Sequence, residues 1–126
     1  MKTVAIIEDN PDNRLLVEVI LEDQYHVLSY TCGRDALEKL QSDSPDLILM
    51  DISLPEMDGT EVLQKVRAIE RFKKIPVIAL TAHAMAHDRQ KYLGLGFNDY
   101  LAKPIVDEDA LLEAIERQIN PSNVSK

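Results

Sequence analysis

Short apolar runs and helically spaced apolar residues alternate five times along this chain, and no other feature narrows the possible folds as far. The runs cover 3–7, 26–30, 46–50, 76–80 and, more weakly, 99–102. Between them stand Leu15, Leu16, Val19 and Ile20, then Ala36, Leu37 and Leu40, then Val62, Leu63, Val66 and Ile69, each group at the spacing of one helix face. A weakly amphipathic fourth segment covers 85–93, with Met85 and Leu93 read as packing residues, and Leu111, Leu112, Ile115 and Ile119 mark a fifth. The Leu47-Ile48-Leu49-Met50 and Val77-Ile78-Ala79-Leu80 runs do not alternate polar with apolar, as expected of parallel strands covered on both faces. Right-handed crossovers then place helices on both sides of one open sheet, a (βα)5 arrangement of the α/β class.

Local chemistry sets the boundaries. Asn10-Pro11 offers an N-cap followed by proline at the first helical position, Ser44-Pro45-Asp46 marks entry into the third strand, and Gly33, Gly59 and Gly94 fall at turns or helix ends. Asp58-Gly59 reads as turn chemistry before the third helix, and Asp12 as a favourable charge in the first turn of the first helix. The 126 residues make one domain, expected over 1–120, with 121–126 a short polar tail.

Composition removes several function classes. Fourteen basic against twenty-two acidic residues leave a net charge of −8, the wrong sign for a phosphate backbone, so direct nucleic-acid binding is not expected. Arg71, Lys73 and Lys74 form the one dense basic group and read as a solvated turn. With no Trp, two Phe and four Tyr there is no platform for stacking bases. Cys32 is the sole cysteine, so neither an intrachain disulfide nor a cysteine zinc site can form. No apolar run is long enough to cross a bilayer, and Glu8 and Asp9 interrupt the first run before a secretory core could be completed, so a cytoplasmic location is expected.

Ligands of open parallel sheets bind at the carboxyl ends of the strands, where strand order reverses. Here the first strand runs into Glu8 and Asp9, the third into Asp51, the fourth into Thr81 and the fifth into Lys103. Two unit charges about 4 Å apart repel by roughly 4 kcal/mol at an effective dielectric of about 20, so three clustered carboxylates demand a cation. An all-oxygen, net-negative pocket suits Mg²⁺ or Mn²⁺, and a carboxylate whose surroundings neutralise a transferring phosphoryl group can act as a nucleophile toward it. Asp51 is the candidate nucleophile and Lys103 a second source of positive charge.

Four segments, in this order and at these separations, carry a resemblance. They are Ile6-Ile7-Glu8-Asp9-Asn10, the stretch 46–59 from Asp46 through Met50-Asp51-Ile52-Ser53-Leu54-Pro55 to Asp58-Gly59, then Pro76-Val77-Ile78-Ala79-Leu80-Thr81-Ala82, and Tyr100-Leu101-Ala102-Lys103-Pro104. Together they resemble the receiver domain of two-component response regulators over nearly the whole chain. The resemblance implies a flavodoxin-like sheet of strand order 2-1-3-4-5, and a phosphoryl group accepted by Asp51 from a histidine kinase or a histidine phosphotransfer protein. It further implies Mg²⁺ held by Asp9, Asp51 and the Ser53 main-chain carbonyl, with Glu8 assisting through water. Thr81 and Lys103 would bind phosphoryl oxygens, and small Ala82 would leave room for them. Tyr100 would turn inward as the aromatic switch and remodel a protein-binding face of the fourth helix, fifth strand and fifth helix. The Lys103-Pro104 bond would be cis. Ser53 and His83 occupy positions that in the family influence phosphoryl lifetime. Glu8 departs from the usual aspartate by one methylene. Such a chain modifies and slowly restores itself and is not an enzyme in the turnover sense.

Other readings fit less well. A haloacid-dehalogenase-type phosphatase carries a second Asp where this chain has Ser53, and a flavodoxin-like FMN protein needs neutral donors where Glu8-Asp9-Asn10-Pro11-Asp12 would repel a phosphate. A pseudo-receiver would not be expected to keep Asp9, Asp51, Thr81 and Lys103 together. His83 and His87 have a metal-compatible spacing but no third ligand of their type nearby, and read as solvated or partner-facing, while His26 reads as structural. The start at Met1 and the short tail favour a stand-alone receiver over one excised from a larger hybrid kinase or regulator.

Overall fold

The computed structural model describes residues 1–54, 56–82, 88–103, 105 and 107–120, with the backbone alone at 88 and 89. Expectations for Met85, His83, His87, the peptide bond to Pro104 and the tail at 121–126 lie outside the described residues. Strands β1 (Thr3–Ile7), β2 (His26–Tyr30), β3 (Leu47–Asp51), β4 (Val77–Thr81) and β5 (Asp99–Ala102) alternate with helices α1 (Pro11–Leu21), α2 (Gly33–Asp43), α3 (Gly59–Arg67), α4 (Asp88–Leu95) and α5 (Glu108–Ile119). All strand pairs are parallel and the order is β2-β1-β3-β4-β5, as the family resemblance implied. The order reverses between β1 and β3, which opens a crevice beyond their carboxyl ends.

β3 and β4 are buried along their whole length, so their unbroken apolar runs face helices on both sides. On one face Ala36 and Leu40 of α2, Val62, Leu63 and Val66 of α3 and Tyr92 of α4 pack over Ala5, Ile7, Ile48, Met50 and Ala79. On the other, Val17 and Leu21 of α1 with Leu111, Ala114 and Ile115 of α5 cover Val4, Ile6, Leu47, Leu49, Ile78 and Leu80. Each fully buried Leu, Ile or Val contributes about 1.5–3 kcal/mol, and these two layers fix the sheet between the helices.

The helix starts follow the capping residues. The Asn10 side chain accepts from the N–H groups of Asp12 (2.9 Å) and Asn13 (3.0 Å) with Pro11 at the first helical position, and Asp58 and Asp107 cap α3 and α5 from Glu61 N–H and Ala110 N–H. Three expectations change. Leu93, read as a packing residue of the fourth helix, is exposed (37%). The inner face of α1 is Val17 and Leu21, with Ile20 packed beside them as expected, whereas Leu15 (58% exposed), Val19 (54%) and Leu16 (37%) point outward. Both sets keep an i, i+4 spacing, so periodicity alone could not choose between them; the cap at Asn10 and the crossover from β1 set the phase. The basic cluster after α3 includes a short 3₁₀ turn, Glu70–Phe72, whose Phe72 is buried while Arg71, Lys73 and Lys74 are exposed. Arg71 is nonetheless tied down, because its guanidinium donates to the Gln41 carbonyl (2.7 Å) and the Ser44 hydroxyl.

Candidate functional site

Backbone pairing carries the chain past the ends of the strands and sets the side chains of the site. Glu8 N–H donates to the Tyr30 carbonyl (3.0 Å), extending β1 beside β2, and Lys103 N–H donates to the Thr81 carbonyl (2.9 Å), extending β5 beside β4. Asp51 closes β3 and Thr81 closes β4. Glu8 (1% exposed), Asp51 (2%) and Thr81 (2%) are the buried polar or charged side chains among the described residues. Arg14 steadies the first turn by donating to the Glu8 carbonyl at 2.9 Å.

Lys103 Nζ lies 2.9 Å from Glu8 Oε1 and 3.1 Å from Asp51 Oδ2. Asp51 Oδ1 accepts from the Ser53 N–H at 3.1 Å, and Glu8 Oε2 from the Asn10 N–H at 3.2 Å. Asp9 is exposed at the rim, and ligand oxygens of Glu8, Asp9 and Asp51 all lie within 4.8 Å of one another. The Ser53 side chain is exposed, just outside the cluster.

Three carboxylates against one ammonium leave this crevice with two uncompensated negative charges. Burial, reinforced by a hydrogen-bonding contact with Asp51, pushes the Glu8 carboxyl up to about 7 despite the opposing pull of Lys103 and the Asn10 N–H. Burial alone would lower the Lys103 pKa, but its pairs with Glu8 and Asp51 outweigh that and raise it, so the lysine is charged. Without a cation, a proton shared near Glu8 relieves the crowding.

The donor set fits a hard divalent ion. All candidate ligands are oxygens, the local excess is about two charges, and Glu8 Oε1 is fully buried with an ion-pair contact but no well-aligned hydrogen bond. Nothing softer than oxygen stands among them.

Thr81 is set differently from the carboxylates. Strand alternation places it on the face of Val77 and Ala79, beneath the α2–α3–α4 layer, and its Oγ1 lies 3.0 Å from the hydroxyl of Tyr92 in α4. The Tyr92 ring lies 5.9 Å from that of half-buried Tyr100 and 6.1 Å, edge to face, from that of Phe97.

Two contributors escaped the sequence reading. Gly59 packs so tightly that a Cβ would fall 2.5 Å from the Asp51 carbonyl oxygen and 2.9 Å from Ile52 Cα; its N–H donates to the Ile52 carbonyl, so glycine permits α3 to start directly against the Asp51 loop. The Asp58-Gly59 pair was legible as a turn, but not this close approach. Tyr92 offered a weaker signal, an aromatic in a poorly amphipathic helix. His26, on edge strand β2, is exposed and outside the site.

A family model for the response regulator receiver domain matches residues 4–116. The signal transduction histidine-protein kinase BarA of Escherichia coli K12 is 45% identical over 107 residues, which cover 84% of this chain and 12% of BarA. The chain therefore spans a small part of that relative. An uncharacterised 14.6 kDa protein of Leptolyngbya boryana is 40% identical over 103 residues, covering 81% of this chain and 79% of its own length. Among solved structures, the receiver domain of the Pseudomonas aeruginosa sensor histidine kinase PA1611, with magnesium coordinated in its active site cleft, superposes with a TM-score of 0.84 at 37% identity, covering 94% of this chain and 97% of that one. The Vibrio cholerae chemotaxis protein CheY4 does so with a TM-score of 0.86 at 30% identity, covering 94% and 98%. Homologous domains thus occur inside histidine kinases and in short regulators, and a phosphoacceptor role fits both the sheet and the acidic crevice. Matched over residues 4–116, and with the same fold as a kinase receiver domain at 37% identity and a chemotaxis protein at 30%, this chain belongs to the response regulator receiver domain family.

Proposed function

We propose that Asp51 accepts a phosphoryl group from a phosphohistidine on a histidine kinase or a histidine phosphotransfer protein. The observation that carries the reading is the setting of Asp51: a buried carboxylate at the end of β3, 3.1 Å from the Lys103 ammonium and within the Glu8–Asp9–Asp51 cluster. An Asp51 carboxylate oxygen forms the new P–O bond as the donor P–N bond breaks, and the imidazole, protonated on its other nitrogen, leaves neutral. Lys103 holds positive charge against the phosphoryl oxygens, and Thr81 donates its hydroxyl to them. Asp9, Asp51 and the Ser53 main-chain carbonyl would hold Mg²⁺, with Glu8 assisting through water and Mn²⁺ as the alternative ion. When bound, that ion supplies the charge neutralisation that one lysine cannot.

The phosphorylated residue brings close to two negative charges and three acceptor oxygens. Moving a domain from a rare to a dominant active state takes roughly 5.5 kcal/mol of differential stabilisation, within reach of a few charge-assisted hydrogen bonds. Thr81 and Tyr100 carry that change to a protein-binding face formed by α4, β5 and α5. The domain occupies 1–120 with 121–126 as a tail, acts in the cytoplasm, and catalyses only its own phosphorylation and slow hydrolysis. The net charge of −8 supports partners that are proteins and not nucleic acid.

Intact mass after incubation with acetyl phosphate and Mg²⁺ tests this. One added phosphoryl group is expected, and none in EDTA or in Asp51→Ala. If neither phosphorylation nor binding of beryllium fluoride with Mg²⁺ occurs, the domain is a pseudo-receiver and the reading fails.

A further inference from the structure

We propose that the Tyr92 hydroxyl competes with a phosphoryl group on Asp51 for the Thr81 hydroxyl, and so sets how readily the domain enters its phosphorylated conformation. The proposal rests on the reading of Asp51 as phosphoacceptor and adds a positioning residue to it. β3 and β4 pair with Asp51 opposite Leu80, so Thr81 lies one step beyond the acceptor on the neighbouring strand. Its Oγ1 is engaged by Tyr92 at 3.0 Å, and both residues are buried, at 2% and 3% exposure. Water cannot readily take over either end of this bond, so breaking it carries a cost that a surface hydroxyl pair would not.

The two destinations of Oγ1 exclude each other. Along β4, Thr81 alternates onto the face of Val77 and Ala79, whereas Asp51 alternates onto that of Leu47 and Leu49. Turning the Thr81 hydroxyl toward Asp51 requires a change of χ1 from one staggered well to another, which takes Oγ1 away from α4. Tyr92 cannot follow, because its own buried ring is held between Phe97 and Tyr100. The same ring contact makes Tyr92 the link by which release of Thr81 reaches Tyr100, 5.9 Å away.

Tyr92→Phe removes the hydroxyl and keeps the ring, which makes it the decisive variant. Binding of beryllium fluoride in the presence of Mg²⁺ is followed by fluorine NMR, and Mg²⁺ binding alone by calorimetry. Loss of one neutral hydrogen bond in the unliganded state is expected to tighten beryllium fluoride binding about fivefold. Mg²⁺ affinity is expected to stay unchanged, and in a Thr81→Val background the Tyr92→Phe gain should vanish. Unchanged or weaker binding in Tyr92→Phe, or the same gain without the Thr81 hydroxyl, overturns the competition while leaving Asp51 as acceptor. Should the parent chain bind no beryllium fluoride with Mg²⁺, the phosphoacceptor reading itself falls, and this proposal with it.

Discussion

The two ends of the sheet solve the problem of polar groups in opposite ways. At the amino ends of β4 and β5 a single guanidinium closes the structure: Arg67 donates to the carbonyls of Phe72 (3.3 Å), Ile75 and Gly96 (2.9 Å) and to Asn98 Oδ1 (2.9 Å). Asn98 Oδ1 also accepts from the Val77 N–H, and Thr3 and Asp46 tie β1 to the entry of β3 through two 2.8 Å bonds. Every partner of Arg67 there is neutral and the fork geometry of arginine is used in full. At the carboxyl ends three carboxylates cluster around one lysine that pairs with two of them, Glu8 and Asp51, and Glu8 has its pKa driven up to about 7 by burial and by Asp51. One end spends its cation on holding the fold together; the other keeps an electrostatic deficit that only an incoming cation or proton can settle. The difference separates stability from function along a single sheet.

Removing the closure at the amino end is expected to give the largest effect. Arg67→Ala should destabilise the domain by about 3 kcal/mol in urea denaturation, since several carbonyls lose a charged donor at once. Arg67→Lys should recover little of this, because a point charge cannot reach both sides of the fork. Near-native stability in Arg67→Ala would erase the contrast between the two ends.

The acidic end should respond in the opposite direction. Folded Glu8 keeps its proton up to about 7 and the unfolded chain loses it near 4.5, so the folded state binds more protons between those values. Its contribution to stability is present below pH 4.5 and is lost as pH rises toward 7 and beyond. In EDTA at pH 8, Glu8→Gln is therefore expected to stabilise the protein by on the order of 1–2 kcal/mol and to flatten the pH dependence of the urea midpoint. A loss of stability in that variant would show that the Glu8–Lys103 pair outweighs the crowding.

Asp9 gives the smallest change in stability and the sharpest separation. It is exposed at the rim, so Asp9→Asn should shift stability by no more than about 0.5 kcal/mol. Calorimetric affinity for Mg²⁺ should nevertheless fall on the order of tenfold, since a charged oxygen ligand is lost. Unaltered Mg²⁺ binding would remove Asp9 from the proposed ion site.

Sheet class, element order and the convergence of residues 8, 9, 51 and 103 were legible because they depend on strand ends. Once five parallel strands are recognised, the residues leaving their carboxyl ends must gather at one edge. Element limits moved by a single residue at β3 and β4, which begin at Leu47 and Val77. The face of α1 was not legible: Leu15, Leu16 and Val19 obey the same repeat as Val17 and Leu21, and apolar residues occupy more of that helix than the sheet can cover. Nor could the sequence distinguish Arg67 from any basic residue in a last helical turn, since its four acceptors come from the 3₁₀ turn, from Ile75 between that turn and β4, and from the connection between α4 and β5.

By itself the sequence determined the alternation of strands and helices, the cap at Asn10, the turn at Asp58-Gly59, the acidic character of one sheet edge and the family to which its motifs belong. These are local or periodic properties, written in neighbouring residues and repeated spacings. Only the tertiary structure decided that Lys103 bridges Glu8 and Asp51, that Gly59 lies against the Asp51 carbonyl, and that the Thr81 hydroxyl is held by Tyr92. Each of these joins residues from different strand and helix units, and the distance between them is set by how the layers pack, which no spacing along the chain records.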